Sequence, residues 1–421
     1  MDITYLQNCK LDYDYKLPTY IEMSNYYDGL SDVVLNNIAT GDDRANEKIQ
    51  NSFVQKFVNE ESSYCVANPI NYISHSGDKE VVEDIRLNFK HWSEKHNKET
   101  LKQALIYSES YELYYVNKLG KFSVLILNPK NSYIVEDDFG DVQLLIRFFQ
   151  TKFDTETQYA DVYEGNTITH YTVSGSNFNQ IGEIDINIFN RVPVSVCRIG
   201  TIMETIYGKI KDSQDGYENT ISTSVSEILD FKNSYLVIEG CQLAEDELLL
   251  MKKLGIIQVP IGGKVSWLIK DLPSEYVNNT LTTIQNNIYM LASHIDHNEK
   301  LASNVSSLSL KNRLIGLQQK CTDNIQGMMN CIQLRLTFLF EYLKIKSNKD
   351  YSVTDLDVKF TPYLPSDDLL IAQLLSQYPK IPTKIGLSLF SFISNVDEAV
   401  KLLEEENQAN NIGADLLTGG E

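Results

Sequence analysis

Two long amphipathic stretches joined by a short polar one, residues 273–346, constrain this chain more than anything else in it. In the first, Val277, Leu281, Ile284, Ile288, Leu291 and Ile295 recur at helical steps. In the second, Leu310, Leu314, Leu317, Cys321, Ile325, Met328, Ile332, Leu336, Leu339 and Leu343 do the same. Steps of three or four keep one apolar stripe on one helix face. They predict a helix over 273–297 and another over 310–346. At 1.5 Å per residue the second spans roughly 55 Å, beyond the usual ~10–14 residues of a globular helix. Stripes that long are expected to pack partly against neighbouring copies of the chain. The joining residues, Asn298 to Leu308, are rich in Ser and Asn and contain neither Pro nor Gly. A long helix opening from a polar loop is expected where something moves past that loop.

The 421 residues are enough for two or three domains with a sizeable core. No run of about 18 apolar residues occurs, so no membrane span is expected. The opening residues Met1 to Leu6 lack the basic and apolar regions of a signal peptide. Cys9, Cys65, Cys197, Cys241, Cys321 and Cys331 are scattered, without a Cys-x-x-Cys pair. A reduced setting suits them, each as a small packing residue. The formal net charge of -20 argues against wrapping nucleic acid, which needs a basic surface. It is compatible with letting nucleic acid pass, because a like-charged wall repels phosphate.

Along the chain, helices are predicted over 17–37, 44–59, 81–96 and 99–108, with Asp42 or Asp43 as a cap and an extended stretch around Pro69. From Tyr111 the pattern changes to short β-branched and aromatic runs: 111–116, 121–127, 133–135, 142–149, 158–163 and 167–172. Turn residues separate them, so an antiparallel sheet is expected, closed by Arg191 to Val194. A helix over 202–231 points Ile206, Ile210, Tyr217, Ile221, Val225 and Ile228 inward and leaves an uncharged Ser, Thr and Asn face outside. A compact insert follows: a strand over 235–239, a short helix over 245–254, and a hairpin of 256–261 with 264–269 around Gly262 and Gly263. It is expected to project from the end of two long helices. After the second long helix come a strand over 353–360, helices near 367–378, 384–393 and 395–406, and a polar tail. The fold class is α+β.

This order resembles the portal proteins of tailed bacteriophages, in the branch common among phages of Gram-positive hosts. The likeness is carried by Tyr26-Tyr27-x-Gly29, by Asn46, Asn51 and Val58 ahead of Tyr64 and Asn68-Pro69-Ile70, and by Tyr111-Glu112-Leu113 with Asn128-Pro129 and Asp137-Asp138. It continues through Val192-Pro193-Val194, Ser307-Leu308-Ser309-Leu310-Lys311-x-Arg313, and Val358-Lys359-Phe360 with Pro365. Ser108 stands where the family has a glycine, Leu308 stands at the glycine of its tunnel segment, and Arg198-Ile199-Gly200 replaces its usual motif after Val-Pro.

The resemblance implies a ring, commonly dodecameric, at one capsid vertex. Residues 1–200 would be an α/β wing, 201–233 and 273–297 a two-helix stem, and 234–272 a small α/β clip. Residues 298–309 would form a tunnel loop, 310–362 a tunnel helix and returning wing strand, 363–406 a helical crown and 407–421 a disordered tail. The implied partners are other copies of the chain, the terminase large subunit, head-completion or adaptor proteins, scaffolding and major capsid proteins, and double-stranded DNA passing without sequence preference. The implied location is the virion, with the host cytoplasm during assembly.

Symmetry in a ring turns one side chain into a circle of them. Candidate DNA-facing residues are therefore Asn298, Lys300, Ser303, Asn304, Ser306, Ser307, Lys311 and Arg313, with Lys320 further along; intersubunit ion pairing or a solvated face is the alternative for the cations. Candidate docking residues are Gly262, Gly263, Lys264 and Trp267, the tryptophan serving equally well as clip core. His294 and His297, one helical turn apart, have a metal-compatible spacing but fit a helix C-terminus better. The acidic pairs Asp42-Asp43, Asp137-Asp138 and Asp367-Asp368 occupy turns or helix starts, where Asp is favoured structurally. No phosphate-binding Gly-x-x-x-x-Gly-Lys loop or nucleophile motif appears, so neither catalysis nor a cofactor is expected. The competing readings are a cytosolic helical scaffold and, more remotely, a hydrolase or nuclease using the acidic pairs.

Overall fold

The computed structural model describes residues 2–36, 45–66, 68–230, 235–239, 264–268, 274–296, 307–361, 382–388 and 399–403, with Gln377, Val396 and Glu405. The chain divides into two compact units, one of residues 1–299 and 314–361, the other of 300–313 and 362–421. In the second, the described parts include the first turns of a long helix, the short helix α9 (Thr383–Ser388) and a helical stretch over 399–403. Helices and strands are mixed throughout the first, giving an α+β fold.

The first unit opens with α1 (Ile3–Tyr27), capped by the Asp2 carboxylate on the Thr4 N–H at 3.1 Å. The helix predicted over 17–37 thus starts about four turns earlier and carries Pro18 inside it. It stops before Gly29, whose φ of 80° ends the run, and only α2 (Asp32–Leu35) follows.

The helix predicted over 44–59 is also corrected. Residues 45–52 are not helical, and α3 runs Phe53–Val66. The cause is α6 (Ile206–Asp230). Its polar side chains accept backbone N–H groups from the extended segment at alternate residues: Ser226 from Glu47 at 2.9 Å, Ser222 from Ile49 at 2.9 Å, and Glu218 from Asn51 at 2.8 Å. Two extended residues advance about 6.6 Å and four helical residues about 6 Å, so the periods nearly match. The neutral face expected outside is therefore partly the docking face. Gln214, Glu218 and Ser222 are buried, while Ile228, expected inward, is 61% exposed.

Helices α4 (Lys79–Phe89) and α5 (His96–Tyr107) follow β1 (Asn71–Ser74). Ser108, at the position where the resemblance expects glycine, has φ 74° and ends α5 in the left-handed region. The strands are β2 (Glu109–Val116), β3 (Phe122–Leu127), β4 (Ser132–Glu136), β5 (Val142–Thr151), β6 (Asp154–Glu164), β7 (Thr167–Ser174), β8 (Asn177–Ile186) and β9 (Val194–Arg198). They form a five-stranded antiparallel meander, β4 to β8, and a three-stranded sheet in the order β3-β2-β9. Strand β9, rather than Arg191 to Val194, closes the smaller sheet, with Val194 opposite Leu113 and Arg198 opposite Glu109. The edge strand β8 is almost entirely exposed, so its polar sequence gave no apolar alternation to read.

Beyond α6, β10 (Tyr235–Glu239) pairs antiparallel with β11 (Lys264–Leu268). Helix α7 (Ser274–Ala292) packs on α6 and ends one turn short of the predicted His297. Helix α8 (Ser307–Ser347) is 41 residues long. Its stripe from Leu317 through Cys321, Met328, Ile332, Leu336 and Leu339 to Leu343 is buried within this one chain, so that part needs no neighbour. At Gly327 the helix comes so close to β9 that an added Cβ would meet the Arg198 carbonyl oxygen at 2.1 Å. A 3-10 turn, Val353–Asp355, replaces the start of the strand predicted over 353–360, and β12 (Leu356–Lys359) pairs with β1. The main core gathers Phe57 of α3, Leu101 and Leu105 of α5, Ile206 and Ile210 of α6, Ile288 of α7 and the α8 stripe.

Candidate functional site

The sequence places DNA contact between α7 and α8. Asn298, Lys300, Ser303, Asn304 and Ser306 lie outside the described residues, as do Gly262, Gly263, His297, Asp42, Asp43, Asp367 and Asp368. Ser307, Lys311 and Arg313 fall in the first turns of α8. Lys264 is exposed and is the register partner of Glu239 in the β10–β11 ribbon, and Trp267 is the register partner of Leu236. The residues just past α7 and the part of α8 around Lys320 converge on one carboxylate.

That carboxylate is Glu61. It lies on the face of α3 that buries Phe57, Val58 and Cys65, and its side chain is wholly buried. Lys320 of α8 reaches its Oε1 at 2.6 Å. His294, just past α7, lies 3.0 Å from the same oxygen through Nε2 and 2.8 Å from Glu60 Oε2 through Nδ1. Asn324 Nδ2 donates to Glu61 Oε2 at 2.9 Å, and Phe57 stacks on the imidazole at 4.3 Å. Burial pushes the Glu61 carboxyl up, but the His294 hydrogen bond and the Lys320 charge outweigh it and hold it below its ordinary value. Burial holds Lys320 below its ordinary value, against the pull of Glu61. Lys320 therefore makes a buried ion pair within its own chain, neither the intersubunit pair nor the solvated face weighed against DNA contact. His294 is a hydrogen-bonded core histidine rather than half of a helical pair. Cys65 and Cys321 lie beside this cluster, the Cys65 thiol donating to the Cys321 carbonyl at 3.8 Å. A cavity of about 110 Å³ borders it, lined by Glu61, Lys320, Asn324, Lys209, Glu204 and Asp323 among others.

A second buried carboxylate, Glu112 of β2, anchors α8 further along. Arg335 grips it through Nη2 at 2.6 Å and Nε at 2.8 Å. His96 at 2.7 Å, Thr100 at 2.9 Å and Tyr114 at 2.6 Å complete its shell. Burial pushes Glu112 up, yet the charges of Arg335 and His96 bring it well below its ordinary value. Sequence reading passed over Glu112 and Arg335, although each is a lone charge in an apolar run, Tyr111 to Tyr115 and Leu334 to Phe340. Glu61 carried no such signal beside Glu60.

Asp137 is a turn residue: its Oδ1 accepts the N–H groups of Phe139 at 2.9 Å and Asp141 at 3.0 Å. Cys9, Cys65, Cys197, Cys321 and Cys331 are buried free thiols. Among the described residues, no group of three or more His, Cys, Asp or Glu is arranged to hold a metal ion, and no helix is long and apolar enough to cross a membrane.

A mixed helix-and-sheet body, two packed helices, a small two-stranded ribbon and a long helix after them make an α+β protein chain. The chain matches the family described as phage portal protein, SPP1 Gp6-like, over residues 6–413, and it belongs to that family. Among solved structures, a chain in the virion of a native gene transfer agent (GTA) particle is similar at 10% identity and a TM-score of 0.47, covering 91% of this chain and 92% of that one. A chain from the neck of an empty GTA particle is similar at 11% identity and a TM-score of 0.45, covering 84% and 90%. No curated protein matches.

Proposed function

We propose that this portal-family chain assembles into a closed ring, commonly a dodecamer, at one vertex of a phage capsid. The ring conducts double-stranded DNA inward during packaging and outward during ejection. The family match over residues 6–413 carries this reading. Within it, α6 and α7 are the stem, 234–272 the clip, 298–309 the tunnel loop, 310–362 the tunnel helix with its returning wing strand, 363–406 the crown and 1–200 the wing.

The charge pattern supports passage rather than binding. Between Asp212 and Asp230 of α6, and throughout α7, there is no Lys or Arg. Thr282 and Thr283 of α7 turn their hydroxyls back onto the carbonyls of Asn278 and Asn279, both at 2.8 Å. A wall without fixed cations releases few counterions from DNA and so does not hold it. The clip, with Lys264 on its ribbon, is the docking end for a separate ATP-driven terminase and later for head-completion proteins. The portal itself acts without catalysis, in the virion and, during assembly, in the host cytoplasm.

The test is negative-stain imaging of purified protein together with its mass in solution. Closed rings with a hole wide enough for duplex DNA are the expected result. A non-ring assembly of fixed symmetry would overturn the reading and favour a helical scaffold. Lys300→Glu should then alter packaging or DNA retention while rings still form; unchanged packaging would remove Lys300 from the path.

A further inference from the structure

Helix α7 ends where its own sequence does not tell it to. The apolar steps Ile284, Ile288, Leu291 and Ile295 continue past the observed end, and no Pro or Gly lies between Ala292 and Asp296. The stop is a Schellman turn: the Ser293 N–H donates to Met290 O at 3.1 Å and the His294 N–H to Tyr289 O at 3.0 Å. The residue in the left-handed position is Ser293, at φ 59°, not the glycine such turns favour. Contacts from elsewhere impose that conformation. Glu61 and Glu60 hold His294 on α3. Lys320 lies on Glu61 and also reaches the last helical carbonyl, Ala292 O, at 3.5 Å. The Gln285 amide folds the tail back by donating to Asp296 at 3.0 Å. Gly316 lets α8 pass over Ser293, with 3.6 Å to its Cβ.

We infer that Glu61 is a positioning residue that fixes where α7 stops, and that α7 has a second, longer state in which Ser293 turns right-handed and the helix runs on through Asp296. The local sequence favours the long state; the Glu61, His294 and Lys320 contacts select the short one. One added turn moves the exit of the chain from α7 by about 5 Å along the axis and rotates its direction. The sequence assigns DNA contact to the residues from Asn298 onward. The inference deepens the portal reading and rests on it only for that link to DNA.

In the long state the Ile295 N–H would donate to Leu291 O, a bond the observed end does not make. Amide hydrogen exchange on the assembled full-length protein therefore reads the switch. Glu61→Gln with Lys320→Gln removes both charges; exchange at Ile295 should slow at least tenfold while residues 284–291 stay protected. Adding Ser293→Gly, which relieves the left-handed position, should restore the wild-type rate. Ser293→Ala alone, which leaves every charge in place, should slow Ile295 in the same direction by less. Unchanged or faster exchange at Ile295 in the last variant, or no reversal by Ser293→Gly, would overturn the inference. Imaging the same samples separates the two claims, because absent rings would count against the portal reading while the exchange result still decides the helix end.

Discussion

Helix α8 is fastened to the rest of its unit by two buried glutamates, and the two fastenings are built differently. At Glu112 the partner is a guanidinium, whose planar fork grips both oxygens, and three further donors fill the remaining lone pairs. The Arg335 guanidinium also stacks over Trp92 at 5.5 Å. At Glu61 the partner is an ammonium, a point charge on a flexible stem, and a cavity lies beside it with Asp323 and Glu204 on its wall. The first arrangement fixes one geometry. The second holds two chain segments together while leaving the lysine other carboxylates to turn to. Rigidity is thus concentrated toward the sheet, and adjustability toward the end of α7.

The difference is open to direct attack. Arg335→Met strands a buried carboxylate and should cost about 3–5 kcal/mol, read as a lowered urea midpoint with unchanged slope. Lys320→Met leaves Glu61 still accepting from His294 and Asn324, so about 1–3 kcal/mol is expected. Equal losses would break the comparison. Thr100→Val removes one donor of several from Glu112 and should cost about 1 kcal/mol.

Acid sharpens the contrast by order rather than size. Both carboxyls are held below their ordinary 4.5, so each contributes stability above that pH and loses it as pH falls through its folded value. Glu112 lies well below and Glu61 less so; the Glu61 cluster should let go first. In a Trp267→Phe background, Trp92 fluorescence reports the Glu112 shell. Dithiodipyridine labelling of Cys65 and Cys321, which works at acid pH, reports the Glu61 cluster. Simultaneous release would show the two to be one unit.

How much of this was legible depends on whether a residue's partner is local. The α8 stripe announced itself, and the helix was read to within three residues at each end. The sheet runs from β2 to β7 were found because aromatic and β-branched residues alternate there. Ser108 stands out in the sequence only as a departure from the family's glycine, and its φ of 74° shows the backbone keeping the glycine-like conformation. What failed was settled at a distance. The stretch 45–52 looked helical until α6 supplied serine and glutamate acceptors to its backbone. The end of α7 looked helical until Glu61 held His294. Among the described candidate residues, Lys311 and Arg313 lie on the helix expected for them, while Ser307, expected in the loop, lies in the first turn of α8; the carboxylate that joins α3 to α8 has no sequence signature.

The close approach at Gly327 has a mechanical meaning. Where a helix and a strand touch backbone to backbone, neither can slide, and any motion of the helix becomes a tilt about that point. Gly327 is a fulcrum, and the stretch from it back to Leu314 is a lever of roughly 20 Å. A tilt of about 5° there displaces the lever's end by about 2 Å, enough to exchange one hydrogen-bond partner for another. Gly327→Ala, by prying the fulcrum open, would loosen the lever without touching either charged cluster.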